Sequence, residues 1–354
     1  MSKFKSLYKV TKPLREAAKK SRFKKSRKEL ICLGIESTAH TFATSIITDK
    51  GKILSDVRDM YKTTIGGIIP IEAAKHHEKV KDQVIEEAIK QANINLKDID
   101  LISFSQGPGL PPSLLVGLNT AKELAKKINK PLIGINHLIA HLSIGNLFCK
   151  VKNPVYILAT GANTQIISLE GGYYRIFGES LDIGIGNALD KFGRAINLGF
   201  PAGPKIELLA KKGKYIELPY VVKGTDLSFS GIITDAINKF KNNIKKEDLC
   251  FSLQENLFAM LTEVTERALA HTEKNEVLLV GGVAANKRLC EMLNIMCKDR
   301  KAEFNFVPLK YSGDNAVMIA WQGILEYKSN KTENLNKIDI KPFWRLNQVK
   351  VDWI

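Results

Sequence analysis

Two histidines spaced four residues apart, His137 and His141, form the sharpest chemical signal in the sequence. On a helix this spacing puts both imidazoles on one face, one turn apart, which suits a single divalent cation. An arbitrary HxxxH pattern is more often a pair of half-buried helix histidines. Here the chain has only six histidines, and a second signal supports the pair. The pattern is not HExxH, so the glutamate base of a zinc protease is missing.

The second signal is Asp314, which lies in the segment Tyr311-Ser-Gly-Asp-Asn315 at the predicted start of the last long helix. A carboxylate there can cap the helix or reach across a cleft as a metal ligand. Capping is the ordinary role, and ligation requires that His137 and His141 approach Asp314 in space. The residues alone therefore leave Asp314 as either a helix cap or the third ligand of a divalent metal site with His137 and His141, and they predict Asn136 as the N-cap of the histidine helix.

Two turns have the composition of phosphate-binding loops. One is Glu36-Ser-Thr-Ala-His40 and the other is Thr160-Gly-Ala-Asn-Thr-Gln165, and each joins two predicted strands. Small and hydroxylated residues at such junctions present backbone N–H groups to an anion. Either turn alone is a weak signal, since hairpins generally prefer these residues. Their equivalent placement in two halves of the chain is the informative observation.

Further polar residues are suited to binding the sugar and base of a nucleotide. In the segment 278–286 a buried strand runs into two glycines and then a helix, where Asn286 can hydrogen-bond a sugar or base edge. Asp190, Lys191 and Glu207 bracket another helix and could hold ribose hydroxyls or phosphates. Two glycines after a strand are also ordinary in β–α loops, and Lys191 alone is more typical of a solvated ion-pair face.

The elements that must position these residues fall into two similar halves. Each half begins with three short strands and continues with alternating helices and strands, which is typical of an α/β fold with two lobes of the actin-like ATPase (RNase H-like) type around a nucleotide cleft. We predict an N-terminal lobe at residues 30–150 and a C-terminal lobe at residues 151–327, with the closing helix packing back on the first lobe. The polar tail at residues 328–354 is predicted to be loose, except where Trp344 and Trp353 pin it.

The formal net charge of +16 is unevenly spread. Residues 1–29 contain twelve lysines and arginines against two acids, Glu16 and Glu29, and contribute +10. Such a basic arm would be attracted to the phosphate backbone of a nucleic acid. A solvated tail that only aids solubility is the alternative, and a mitochondrial presequence fits less well because the arm is rich in lysine rather than arginine.

The five cysteines form no CxxC pair, and their irregular spacing argues against a disulfide framework or a thiolate zinc site. No apolar run reaches the length of a membrane span, and the N-terminus does not have the pattern of a secretory signal. The sequence therefore predicts a cytoplasmic protein in a reducing compartment, with no membrane partner.

Nine strings in a fixed order resemble the universal tRNA threonylcarbamoyladenosine transferases. They resemble most the archaeal and eukaryotic type, the catalytic subunit of the KEOPS complex, over roughly residues 30–327. The strings are GIESTAHTF (34–42), GPGL (107–110), NHLIAHLSIG (136–145), NTQ (163–165), GESLDIGIGNALDKFGR (178–194), GPKIE (203–207), DLSFSG (226–231), LVGGVAANKRL (279–289) and SGDNAVMIA (312–320).

This resemblance implies transfer of a threonylcarbamoyl group from threonylcarbamoyl-AMP to N6 of the tRNA adenosine beside the anticodon. It implies one divalent metal, iron or zinc, held by His137, His141 and Asp314, and ATP or threonylcarbamoyl-AMP as the bound nucleotide. The implied partners are tRNA, a small atypical protein kinase and small accessory or dimerisation subunits of a KEOPS-like complex. The implied adenylate-binding residues are Leu158, Ala159, Thr160, Gly161, Ala162, Asp190, Gly203, Glu207 and Asn286.

Several positions depart from the family pattern. Leu158 stands where archaeal-type members have a metal-binding tyrosine, so a hydroxyl ligand is missing. Ala162 replaces a glycine in a phosphate turn and would crowd an anion if its φ were positive. Ile69 stands where the family usually has a histidine, Pro111 replaces a small residue, and Ala316 replaces a glycine.

These departures keep a second interpretation open, in which the chain is a catalytically impaired nucleotide- or tRNA-binding paralogue that acts as a scaffold. Tyr156 has the same strand phase as Leu158, but it lies about 7 Å away along the strand and is poorly placed to supply the lost hydroxyl. A sugar or acetate kinase of the same fold is disfavoured by the histidine pair and by the strings LDKFGR and AANKRL.

Overall fold

The structure, a computed structural model, describes residues 29–62 and 67–354, and the basic arm at residues 1–28 lies outside them. The strands are β1 (Ile31–Glu36), β2 (Thr41–Thr48), β3 (Ile53–Met60), β4 (Leu101–Gly107), β5 (Leu132–Asn136), β6 (Val155–Ala159), β7 (Thr164–Glu170), β8 (Tyr173–Glu179), β9 (Val222–Lys223), β10 (Asp226–Leu227), β11 (Glu276–Val280) and β12 (Glu303–Phe306). The helices are α1 (Pro70–Ala92), α2 (Pro111–Ile128), α3 (His137–Cys149), α4 (Ile185–Ala195), α5 (Gly203–Ala210), α6 (Ser230–Lys241), α7 (Lys246–Thr272), α8 (Lys287–Asp299), α9 (Leu309–Ser312) and α10 (Ala316–Lys328).

The first sheet has the strand order β3-β2-β1-β4-β5. Strands β1, β2 and β3 pair antiparallel, whereas β4 pairs parallel with both β1 and β5. Its central strands are apolar and buried because helices cover both faces, with α1 and α2 on one side and α10 on the other. Gly34 allows α10 to lie directly on β1, since a Cβ at this position would come within 2.5 Å of the carbonyl oxygen of Ala316.

The second sheet repeats the layout of the first, with the strand order β12-β11-β6-β7-β8. Strands β6, β7 and β8 pair antiparallel, and β11 pairs parallel with both β6 and β12. The short antiparallel hairpin of β9 and β10 forms a separate two-stranded sheet beside β8. The repeated strand order confirms the predicted two similar halves, although no residue-level repeat is visible.

Each large sheet is covered on one face by a helix from the other half of the chain. Helix α10 follows β12 but packs on β1, β2 and β4, which confirms the predicted return of the closing helix to the first lobe. Helix α3 follows β5 but packs its residues Leu138 and Leu142 against Tyr156, Leu158 and Val280 of the second sheet. The two helices also contact each other. The histidine helix and the segment that carries Asp314 therefore meet between the two sheets.

The prediction of a loose C-terminal tail is wrong. The backbone N–H of Lys341 donates to the carbonyl of Gln106 over 2.8 Å, in the first lobe, and that of Val351 donates to Gly172 over 2.8 Å, in the second. Trp344 and Trp353 pack against the second core, as expected of residues that pin the tail. The buried apolar residues that anchor it are Ile338, Leu346, Val349 and Val351. The tail therefore crosses from one lobe to the other along the surface.

Helix α7 has 27 residues and carries charged side chains over its length. In the part of the chain that the structure describes, no helix is both long and apolar enough to cross a membrane.

Candidate metal centre and nucleotide cleft

The histidine pair lies at the first turn of α3. The side chain of Asn136 caps this helix, as predicted, because its Oδ1 accepts hydrogen bonds from the backbone N–H groups of Leu138 and Ile139 at 3.1 and 3.2 Å. The rings of His137 and His141 lie edge to face with their centroids 4.7 Å apart, and both side chains are buried. The cap and the helical spacing together direct both imidazoles into the gap between the sheets.

Asp314 approaches both histidines from the segment before α10. Its Oδ1 lies 3.5 Å from Nε2 of His137 and 3.3 Å from Nε2 of His141. Asp314 does not cap α10, because Oδ1 of Asn315 accepts the hydrogen bond from the N–H of Met318 over 3.0 Å. The carboxylate of Asp314 is therefore free to face the histidines, and the three residues that the sequence singles out come together in space.

The geometry and chemistry of this cluster fit a divalent cation. One ligand atom from each of the three residues lies within 4.8 Å of the others. Nε2 of His141 is buried and faces Oδ1 of Asp314 at 3.3 Å without the geometry of a good hydrogen bond, as expected of two atoms that could share a ligand. Two imidazole nitrogens and one carboxylate oxygen are a donor set typical of zinc or iron sites.

Glu36 is a functional residue that the sequence analysis places only in a turn. Its side chain is fully buried, and its Oε2 accepts the hydrogen bond from Nδ1 of His137 at 2.9 Å. Its Oε1 accepts from the N–H and the hydroxyl of Thr38, at 2.7 and 2.5 Å. Because a carboxylate only accepts, the proton sits on Nδ1, and Nε2 of His137 is turned towards Asp314. In the sequence, Glu36 is marked only as an acid in a turn of small and hydroxylated residues, which does not indicate His137 as its partner.

The charges around the site shift the pKa values of its members in opposite directions. Burial would lower the pKa of His137, but Glu36 and Asp314 raise it to about 9. Burial lowers the pKa of His141, so that its imidazole is neutral near pH 7. Burial would raise the pKa of Asp314, but the two imidazoles hold it well below its usual range. The site thus pairs a neutral imidazole, His141, with an ionised carboxylate, Asp314, whereas a cation would displace the proton from Nε2 of His137 on binding.

Leu158 supplies no hydroxyl to this centre. It is fully buried in β6 among apolar residues of the second core. Tyr156 does not replace the missing group, because its hydroxyl pairs with the side-chain amide of Asn146 at 2.9 to 3.0 Å. Among the described residues, the candidate site therefore has His137, His141 and Asp314 as possible ligands and lacks the tyrosine that archaeal-type members of the family have.

The turn after β6 carries the first residues of the predicted adenylate-binding set. The N–H of Thr160 donates to the carbonyl of Asn163 over 2.9 Å, and the carbonyl of Gly161 accepts from the first turn of α4. Ala162 does not have a positive φ, so the strain that a positive angle would impose is absent. A Cβ at Gly184 would come within 2.5 Å of the backbone of Ala162, so glycine is required for this approach.

The other predicted nucleotide residues are contiguous with this turn. Position 281 requires glycine, because its φ is +96° and a Cβ there would lie 2.3 Å from the carbonyl oxygen of Ala159. The Gly281 loop leads to Asn286, whose Oδ1 caps α8 and whose amide donates to Gln254 over 3.1 Å. Most of the hydrogen-bonding capacity of Asn286 is therefore already used within the protein.

Asp190 and Glu207 are the two carboxylates of the predicted adenylate-binding set. Oδ1 of Asp190 accepts from the N–H of Ala202 over 2.7 Å, next to Gly203, and burial raises its pKa. Oε1 of Glu207 accepts from the N–H of Lys287 over 2.9 Å, next to Asn286. The predicted set thus lies along one continuous surface of the second lobe, and its contact with a nucleotide stays a prediction.

Solved structures with similar folds share little sequence with this chain. Thermococcus kodakarensis HypF superposes with a TM-score of 0.60 at 16% identity, over 85% of this chain and 48% of that one. Component A of the Acidaminococcus fermentans (R)-2-hydroxyglutaryl-CoA dehydratase superposes with a TM-score of 0.52 at 15% identity, over 85% of this chain and 100% of that one. These similarities concern the fold alone, and they confirm the predicted two-lobed actin-like architecture.

Sequence relatives are much closer. A family model described as tRNA N6-adenosine threonylcarbamoyltransferase matches residues 52–321. The proteins of that name from Thermococcus sibiricus and Thermococcus kodakarensis are each 51% identical over 326 residues, which is 92% of this chain and 100% of theirs. A Methanocaldococcus jannaschii protein named as a probable bifunctional tRNA threonylcarbamoyladenosine biosynthesis protein is 48% identical, over 92% of this chain and 61% of its own length. The chain belongs to the tRNA N6-adenosine threonylcarbamoyltransferase family.

Proposed function

We propose that this protein transfers a threonylcarbamoyl group from threonylcarbamoyl-AMP to N6 of the tRNA adenosine beside the anticodon, at a metal held by His137, His141 and Asp314. The observation that carries the proposal is the convergence of these three side chains, from two distant parts of the chain, at the gap between the lobes. Their donor set suits iron or zinc.

A cation in this site would act as a Lewis acid on the carbamoyl carbonyl or on a phosphate oxygen. The protein's own part is to fix the ligands. Asn136 orients the helix that carries the histidines, and Glu36 orients His137 and fixes which nitrogen faces the cleft. Because the adenosine amine is a weak nucleophile, precise positioning of the tRNA beside this site should supply much of the rate.

The second lobe is suited to hold the adenylate. The turn at residues 160–163 lies beside the glycine-rich loop at residues 281–286, and glycine at position 281 allows the close approach of the two backbones. Asp190 and Glu207 project carboxylates along the same wall, where they can accept hydrogen bonds from ribose hydroxyls. Closure of the two lobes would exclude water and hold the departing AMP.

The partners that we propose are tRNA, a small atypical protein kinase and small accessory or dimerisation subunits of a KEOPS-like complex. The Methanocaldococcus jannaschii relative is named as bifunctional, and this chain covers 61% of its length. The basic arm at residues 1–29 would assist tRNA docking, and its removal should flatten the salt dependence of tRNA binding.

The test is a modification assay with the full chain, threonylcarbamoyl-AMP, substrate tRNA and the partner subunits. Formation of threonylcarbamoyladenosine, followed by nucleoside mass spectrometry, is expected from the metal-loaded protein and not from His141→Ala. Binding of the adenylate without any modification, with the partners present, would refute the transferase. That outcome would favour the scaffold instead, which the absence of a hydroxyl at Leu158 motivates.

A further inference from the structure

Arg58 lies on β3, the edge strand of the first sheet, yet its guanidinium contacts the segment that carries Asp314. Nη2 of Arg58 donates to the carbonyl of Lys310 over 2.8 Å, and Nη1 donates to the carbonyl of Asp314 itself over 3.4 Å. Lys310 lies within α9, and Asp314 lies four residues later in the turn between α9 and α10. One side chain from the first lobe thus holds the backbone of a predicted metal ligand.

A second residue of β3 fixes the direction of this guanidinium. Nε and Nη2 of Arg58 donate to Oδ1 and Oδ2 of Asp56 at 3.0 and 2.8 Å, a two-point contact that sets the plane of the group. Residues two apart on a strand project from the same face, so β3 presents both partners together. The Asp56 side chain is only 5% exposed, and it also accepts from the hydroxyl of Ser45 over 3.3 Å.

The contact has a clear physical basis at the carbonyl end. Carbonyl groups at the end of a helix lack partners within that helix, and a cation with fixed donors satisfies them well. A lysine ammonium could pair with Asp56 but could not present donors in two directions from one plane. The arginine therefore restrains the turn where a shift of about 1 Å would move the Asp314 carboxylate away from the histidines.

We propose that Arg58, oriented by Asp56, is a positioning residue that holds Asp314 at the correct distance from His137 and His141. This inference rests on the metal site proposed above. Partners outside the ligand set typically contribute about 10- to 100-fold to metal affinity, and we expect an effect of that size here.

The experiment measures the affinity for Zn²⁺ by chelator competition and the visible spectrum of the Co²⁺-loaded full-length protein. Arg58→Met should weaken the affinity about 10- to 100-fold and change the Co²⁺ bands, because these report the coordination geometry. Arg58→Lys should restore part of the Zn²⁺ affinity and part of the wild-type Co²⁺ spectrum. A merely structural role would not move the Co²⁺ bands.

Two further variants keep the test decisive. The double variant Arg58→Met with Asp56→Asn leaves no unpaired buried charge, so it should fold even if Arg58→Met alone does not. We expect it to show the same loss of Zn²⁺ affinity. Arg288→Met is the matched control, since Arg288 makes a similar two-point contact with Glu255 at 2.7 to 2.8 Å in the second lobe. It should leave affinity and spectrum unchanged.

A folded double variant with wild-type Zn²⁺ affinity and wild-type Co²⁺ bands would disprove the positioning role of Arg58 but would leave the proposed metal site intact. If the Asp314→Ala variant bound Zn²⁺ as tightly as the wild type, the metal site itself would be disproved, and this inference with it. The two failures are therefore distinguishable.

Discussion

The turn that follows β1 and the turn that follows β6 occupy equivalent places in two sheets of the same strand order, but they are built differently. In the first, the side chain of Glu36 is buried and binds the N–H of Thr38, while the N–H of Ser37 donates to the hydroxyl of Ser105 over 3.0 Å. In the second, the N–H of Thr160 donates to the carbonyl of Asn163 over 2.9 Å, and the N–H of Asn163 donates to the hydroxyl of Thr160 over 3.0 Å. The first turn is thus held by a buried carboxylate and by a residue of β4, whereas the second closes on its own residues.

This difference shows how a duplicated topology can divide two tasks. The first turn orients His137 and belongs to the proposed metal centre. The second turn contains Thr160, Gly161 and Ala162 of the predicted adenylate-binding set. Each turn has two backbone N–H groups that are already bonded, so the anion-binding role of each stays a prediction. Variants in each turn should therefore affect different ligands.

The largest effect is expected from His141→Ala, which removes one of the three metal ligands. Loss of the cation should remove several kcal/mol of transition-state stabilisation and lower kcat/KM about a thousandfold or more. Metal content by elemental analysis and the tRNA modification rate are the measurements. His271→Ala, at an exposed helical histidine, is the control and should keep both. Full activity of metal-free His141→Ala would contradict the metal assignment.

Glu36→Gln should separate the two turns more finely. The substitution keeps the shape of the side chain but removes the charge that orients His137, so Zn²⁺ affinity should fall about 10- to 100-fold. Adenylate affinity, measured by calorimetry, should stay unchanged. Glu326→Gln is a suitable comparison, because Glu326 is also fully buried but lies in the last turns of α10, where it pairs with Gln322 and Lys331. Equal losses of metal affinity in both variants would argue against a specific role for Glu36.

Gly184→Ala should produce the reverse pattern. Its added methyl would overlap the backbone of Ala162, so the second turn must shift, and we expect adenylate affinity to fall about tenfold, or about 1.4 kcal/mol. Zn²⁺ affinity should not change. Gly231→Ala is the matched variant, because a Cβ there meets no atom within 4 Å. Unchanged adenylate binding by folded Gly184→Ala would remove the second turn from the nucleotide site.

The smallest effect is expected from Leu158→Tyr, which tests whether the second lobe can join the metal centre. A phenol at this position would restore the hydroxyl that the family resemblance implies, and metal affinity should rise severalfold, up to about tenfold. Overpacking of the buried site should cost about 1 to 3 kcal/mol of stability. Chelator competition and thermal unfolding measure the two effects. Unchanged metal affinity would show that the tyrosine does not reach the cation.

Much of the fold could be predicted from local sequence patterns. The alternation of short apolar strands and amphipathic helices is a local property, and each half begins with three strands as predicted. The cap at Asn136 is local too. Helix α6 was not predicted, because the loop-rich segment before it obscures its start. The convergence of Asp314 with the histidines could be stated only as a condition, since it depends on contacts across 173 to 177 residues of chain.

The remaining differences come from long-range packing. The sequence of the tail is mostly polar, yet Leu346 and Val351 pack into a core that is formed mainly by residues of the second sheet and of α3. The same is true of Glu36 and Arg58, whose roles depend on partners 101 and 252 to 256 residues away. A turn composition or a strand pattern contains no information about such partners.

The exchange of α3 and α10 between the sheets has a consequence for the integrity of the polypeptide. If the chain were cut after Lys150, the N-terminal fragment would lack the helix that shields Cys32 and Leu101, and the C-terminal fragment would lack the helix that shields Tyr156 and Val280. Each fragment made alone should aggregate through its uncovered face. Fragments produced together should instead complement one another, and the native assembly would recover even without a covalent link between them.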